Sequence, residues 1–303
     1  MVPIYLRLLL MVHEYVRKRI YIKNELLYWS DNKQIIIEQG RNGYKKSTAI
    51  LGEICQHIDR LPVENNRYRV LGEFDWDGLL LSYVGIIPHQ QLVTKDEFIP
   101  RTRNDLQLVD FDGFLAVRKN YRGNFFPFVN ELKCIHYLGC IGCNVPSILD
   151  VDFDSPALTI SFINGVTIKH EIVNKGVDIL NRSFQLLYGI SPRDKRARDF
   201  VIKKIYRVLN KIIDSQFVCQ LSEEINKIHS LGIILNDVKY GNIVIEQDLN
   251  QPFLIDFELS RRYPHLPKLF LEKLFREDNR KLRNCFGENF PEFFCDSPDT
   301  VGI

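Results

Sequence analysis

The chain has 303 residues, of which 45% are hydrophobic and 26% charged, and its formal net charge is +2. That length suits one large two-lobed domain or two small ones, and the composition is that of a chain able to bury a core. The near balance of charge gives no bulk field toward nucleic acid or a membrane, so no nucleic-acid partner is expected.

In chain order, Met1–Val12 is apolar but carries Arg7 and runs into Arg17-Lys18-Arg19. It lacks a small-residue cleavage site and reads as a buried or surface-docked helix rather than a secretory signal. Nothing reaches the roughly 18 apolar residues of a membrane span, although peripheral membrane association stays open. The first hundred residues read as mixed α and β. Gln34–Glu38 is a β-branched run expected as a strand, followed by a turn at Gly40-Arg41-Asn42-Gly43. Ser47–Arg60 has helical spacing, with Ile50, Ile54 and Ile58 four apart. Tyr68–Leu71 and Leu79–Val84 are further expected strands. The glycine-to-lysine spacing of Gly40–Thr48 is wrong for a phosphate loop. Trp76, between Asp75 and Asp77, is expected as a half-buried core residue.

A domain boundary is expected near Pro100. Beyond it, Gln107–Phe111 and Phe114–Arg118 form strands joined by the turn Asp112-Gly113. Pro127 leads into a helix at about Phe128–Leu138, on which Glu131, Ile135 and Leu138 share a face. A carboxylate on an apolar stripe needs a partner. Leu158–Ile163 is another expected strand. Ser183–Phe217 is expected to be helical and basic, with Arg193, Lys195, Arg196 and Arg198. Val218–Leu231 is an amphipathic helix, with Val218, Leu221, Ile225 and Ile228 inward and Glu223, Glu224 and Lys227 outward. His229 is expected to close that helix by hydrogen bonding.

The seven cysteines are an odd number in a long chain, which argues against a disulfide framework and for a reducing, cytoplasmic setting. Cys140-x-x-Cys143, with Cys134 nearby, has no second pair at zinc-finger spacing and reads as incidental thiols.

The most informative segment is Ile233–Ser260, IILNDVKYGNIVIEQDLNQPFLIDFELS. Ile243–Ile245 and Phe253–Ile255 flank a polar turn and read as a β-hairpin. An antiparallel hairpin brings its two ends side by side, so Asn242 and Asp256 converge, with Asp237 in the loop leading in. Two carboxylates and an amide oxygen suit a hard cation such as Mg²⁺.

This segment resembles the catalytic loop and metal-binding motif of the protein-kinase-like superfamily, with Asp-x-Lys-x-x-Asn present as Asp237, Lys239 and Asn242, and Asp256 at a suitable distance. The runs Ala116–Gly123 and Gly142–Pro146, and the acidic third residue of Asp256-Phe257-Glu258, look most like the bacterial lipopolysaccharide-core and Kdo kinases. The resemblance covers about Asp105–Tyr263. It implies an α+β, two-lobed fold with a small antiparallel-sheet lobe at about 101–165 and a mainly helical lobe at about 166–303, preceded by an N-terminal mixed α/β extension, 1–100. It implies an ATP- and Mg²⁺-dependent phosphotransferase acting on a hydroxyl of a saccharide or glycolipid. A compact protein Ser/Thr kinase, or a pseudokinase that binds without turnover, is the alternative. By the resemblance Asp237 accepts the acceptor's proton, Lys239 meets the transferring phosphate, and Asn242 and Asp256 hold Mg²⁺.

In the small lobe the strand period of two puts Ala116 and Arg118 on one face. The resemblance then gives Ala116 to adenine and Arg118 to the phosphates. A one-residue slip would substitute Lys119. Whichever cation faces the helix becomes the partner of Glu131. The chain departs from the family in Leu235-Asn236 before Asp237, in Glu258 where glycine is usual, and in the lack of a glycine-rich loop before Phe114. The stretch Arg101–Asn104 stands where phosphates would need cover.

Overall fold

The computed structural model describes residues 11–12, 22–44, 63–64, 68–73, 105–168, 171, 196–197, 213, 215–263 and 266–286. The readings of Ser47–Arg60, Leu79–Val84, Trp76 and Arg101–Asn104, and most of those of Met1–Val12 and Ser183–Phe217, lie outside them. The chain is α+β and divides into two compact units, residues 1–170 with 240–260, and residues 171–239 with 261–303.

The first unit holds helices α1 (Ile22–Asp31), α2 (Lys33–Gly43) and α3 (Phe125–Cys140). Its strands are β1 (Val63–Glu64), β2 (Tyr68–Glu73), β3 (Asp105–Phe111), β4 (Phe114–Asn120), β5 (Ile148–Asp152), β6 (Ala157–Ser161) and β7 (Gly165–Thr167). Six of these make one sheet in the order β1-β2-β3-β4-β6-β5, with every pairing antiparallel. The boundary expected near Pro100 falls outside the described residues, and strands from both sides of it share this sheet. The β3–β4 hairpin turns through Asp112 and Gly113, with φ of 50° and 81°, between the paired Phe111 and Phe114. Two positive φ values in a two-residue loop match the right-handed twist of the strands, which is why an Asp-Gly pair works here.

Gln34–Glu38 is helical, not a strand, and Gly40–Gly43 is the last turn of α2 rather than a separate turn. Three consecutive isoleucines favour a strand locally, but packing decides otherwise. Ile36 and Ile37 are buried while Ile35 is 56% exposed, the pattern of a helix and not of alternation. Gly40 sits one turn after Ile36 and lies directly against β5. A Cβ built there would stand 1.7 Å from the carbonyl oxygen of Ile148. Gly40→Ala therefore has to push α2 away from backbone that cannot move aside. A loss of about 1–3 kcal/mol is expected by analogy with overpacking, read as a lowered midpoint in urea unfolding. On the other flank, α1 buries Trp29 edge-on to His136 and Tyr137 of α3, and Glu25 pairs with Lys133 at 2.8 Å.

A second sheet of the same unit, β10-β9-β7, carries the predicted hairpin, with β9 at Ile243–Glu246 and β10 at Pro252–Leu254. Gly165 of β7 is required by a close approach, since a Cβ would stand 2.1 Å from the Ile245 carbonyl oxygen.

The second unit contains α4 (Ser215–Ser230), α5 (Lys268–Phe286) and the short antiparallel pair β8 (Ile233–Ile234) with β11 (Arg261–Arg262). Leu221, Ile225 and Ile228 of α4 are buried as expected. Glu224 is not outward as the helical wheel suggested. It is buried and bonds Lys227 at 2.6 Å, the exposed lysine one turn on bringing its charge to the carboxylate. Among the described residues, no helix is long and apolar enough to cross a membrane.

Candidate functional site

The chemistry of the first unit gathers around Lys119. Adjacent residues of a strand point to opposite faces, and β4 sends its two cations in different directions. Arg118 turns toward β5, where it meets Asp152 at 3.0 Å and Asp150 at 4.0 Å, beside Lys33 of α2. Lys119 turns toward α3 and meets Glu131 at 2.7 Å. Of the two cations left open as partners of Glu131, Lys119 is the one that meets it, which is the register of the one-residue slip. Ala116 shares the Arg118 face and lies in a core cluster with Val109, Phe111 and Leu149. By the same alternation Val117 is the residue on the Lys119 face.

Lys119 also reaches Asp256 at 2.9 Å and Glu258 at 2.5 Å. The segment bearing these carboxylates follows β10. The Ile255 N–H donates to the Asn242 carbonyl at 3.1 Å, so the hairpin does bring its two ends side by side. Asn242 ends a short 3₁₀ turn, Tyr240–Asn242, and is buried. The Leu254 N–H donates to the Asn144 carbonyl at 3.0 Å, tying in the Gly142–Pro146 loop. Tyr121 completes the cluster. Its hydroxyl donates to Glu131 Oε2 at 2.7 Å, and its ring centroid lies 5.4 Å from Lys119 Nζ.

Three carboxylates thus converge on one buried ammonium. Burial alone would lower the Lys119 amine, but Asp256, Glu131 and Glu258 outweigh it and hold the group above its ordinary value. Burial, opposed by Lys119 and reinforced by the charges of Asp256 and Glu258, pushes the Glu131 carboxyl up to about 7. Burial and the Glu131 charge also raise the Tyr121 phenol.

The folded chain holds the Glu131 proton more tightly than the unfolded chain does. This group's contribution to stability therefore falls as pH rises from about 4.5 to about 7. Melts of wild type and Glu131→Gln across that window should diverge in slope, with wild type losing on the order of 3 kcal/mol more than the variant.

In the second unit, Asp237 pairs with Lys239 at 2.7 Å, with Asp237 half-buried and Lys239 exposed. The loop that bears them is fixed by Asp278 of α5, which no sequence pattern had singled out. Asp278 is fully buried and accepts the backbone N–H groups of Leu235 at 2.7 Å and Asn236 at 3.0 Å. Lys281 caps the Asn236 carbonyl. His229 does not close its helix with the side chain. Its Nε2 faces Asp278 at 3.4 Å, and its ring stacks on Phe275 at 4.2 Å. The signal for Asp278 was present, because it lies at the four-residue spacing of Leu274 and Leu282, a carboxylate on an apolar stripe.

The oxygen atoms of Glu131, Asp256 and Glu258 stand close enough together to hold a cation. Carboxylate donors match the preference of hard divalent ions. The chain matches no family model, and no curated protein matches it.

Proposed function

We propose that the chain is an ATP- and Mg²⁺-dependent phosphotransferase of the protein-kinase-like type, with a saccharide or glycolipid hydroxyl as acceptor. The observation that carries this reading is the double engagement of Lys119, which bridges a helix carboxylate, Glu131, and the strand-end carboxylate Asp256. A strand lysine anchored this way presents a fixed positive charge for nucleotide phosphates, and Asp256 with Asn242 presents oxygen donors for the metal. Bound Mg²⁺ would neutralise the phosphate charge that builds up during transfer. Phosphoryl transfer asks for positioning and charge neutralisation more than covalent chemistry, and preorganised charges supply both. Asp237 is assigned to orient the acceptor hydroxyl and take its proton, and Lys239 to meet the transferring phosphate.

The test is transfer of radiolabel from ATP into cell-envelope glycolipid, saccharide and protein fractions, with and without Mg²⁺, beside Asp256→Ala. Expected is label in a glycan-bearing fraction that requires Mg²⁺ and disappears in the variant. Label confined to protein would replace the acceptor class. ATP binding without transfer to any fraction would make the chain a binding module, and no Mg²⁺-dependent ATP binding would overturn the reading.

A further inference from the structure

Asn130 precedes Glu131 on α3 and is 1% exposed. Its Nδ2 donates to the carbonyls of Phe257 and Glu258, each at 3.0 Å, and reaches the Ser260 carbonyl as well. Glu131 Oε1 accepts from the Phe257 N–H at 3.4 Å. Two successive helix residues therefore hold both donor and acceptor groups of the backbone between Asp256 and Ser260. An amide nitrogen carries two hydrogens and suits clustered carbonyls, whereas an aspartate of the same shape carries none. Buried carbonyls that lose such a donor are costly to leave unmatched.

The segment needs this support. Asp256 has φ of 66°, the left-handed region that a side chain with a Cβ rarely adopts. Such a conformation persists where its surroundings over-determine it. Asn130 supplies that restraint through the backbone carbonyls that follow Asp256, while Lys119 holds the Asp256 carboxylate itself.

We propose that Asn130 is a positioning residue, whose side-chain amide clamps the Asp256–Ser260 backbone to α3 and so keeps Asp256 set at Lys119. The functional half of this inference rests on the phosphotransferase reading. The clamp itself rests on contacts within one unit. A metal ligand held by a preformed backbone needs no ordering when the ion arrives, so losing the clamp should weaken ion binding more than it slows the bound enzyme.

The experiment compares wild type with Asn130→Ala and Asn130→Asp in the full chain by amide hydrogen exchange, then by Mg²⁺ titration of turnover. Exchange at Phe257–Ser260 is expected to quicken on the order of tenfold or more, with the β3–β4 hairpin nearly unchanged. The Mg²⁺ concentration for half-maximal turnover should rise by a similar factor while kcat at saturation stays within about threefold. A variant that is merely less stable would quicken exchange throughout and lose active enzyme without moving the Mg²⁺ midpoint. That result, or unchanged exchange at Phe257–Ser260, overturns the proposal. Asn130→Ser, with one donor on a shorter arm, gives the graded case should the other two fail to fold. If wild type shows no turnover, the phosphotransferase reading fails and the exchange comparison alone decides the clamp.

Discussion

Lys119→Ala is expected to be the most damaging single change to stability, lowering the melting temperature by roughly 6–20 °C through a loss of about 3–5 kcal/mol. Lys119 and Glu131 are 3% and 1% exposed, so neither charge can turn to water when its partner goes. The lysine is the shared counter-charge of Glu131, Asp256 and Glu258, and its removal leaves three carboxylates facing one another. Removing one partner from a buried ion pair costs far more than the pair is worth against a neutral substitute. Lys119→Met tests the electrostatic share, because it keeps the apolar stem and drops the charge. Adding Glu131→Gln should then recover much of the loss. Melts of the three variants check this, and a Lys119→Met loss below about 1 kcal/mol would place the cluster with exposed ion pairs.

Asp237→Ala should reduce turnover by about 10²–10⁴-fold, the usual worth of a positioned acid or base. ATP binding should stay within about threefold of wild type, because the nucleotide is assigned to groups of the other unit. The variant should also fold normally. The loop is fixed through the backbone of Leu235 and Asn236 on Asp278, contacts that do not involve the Asp237 side chain. Single-turnover transfer and equilibrium nucleotide titration separate the two quantities. Turnover retained in the variant would remove Asp237 from the chemistry.

Local signals in the sequence reached the hairpins and missed the face of β4. The turn at Asp112-Gly113 and the polar loop between Ile245 and Pro252 announce themselves through residue types that the backbone conformation requires. The phase of β4 does not. Leu115, Ala116 and Val117 are all buried, so no alternation of apolar and polar residues marks which cation points where. The phase is settled by partners on other elements, Asp152 of β5 on one side and Glu131 of α3 on the other. A much longer separation hid Asn130, whose acceptors lie over 120 residues later. The run of isoleucines in α2 misled for a related reason, since a β-branched cluster signals burial before it signals the element that buries it.

The seat of Gly40 on Ile148 also bears on synthesis. The helix leaves the ribosome before its docking strand exists, and roughly a hundred residues must follow, about 5–20 s at ordinary elongation rates. During that wait Ile36 and Ile37 have no β5 to cover them. Slowing translation across residues 40–148 should therefore lower the yield of native protein more than the same delay placed later.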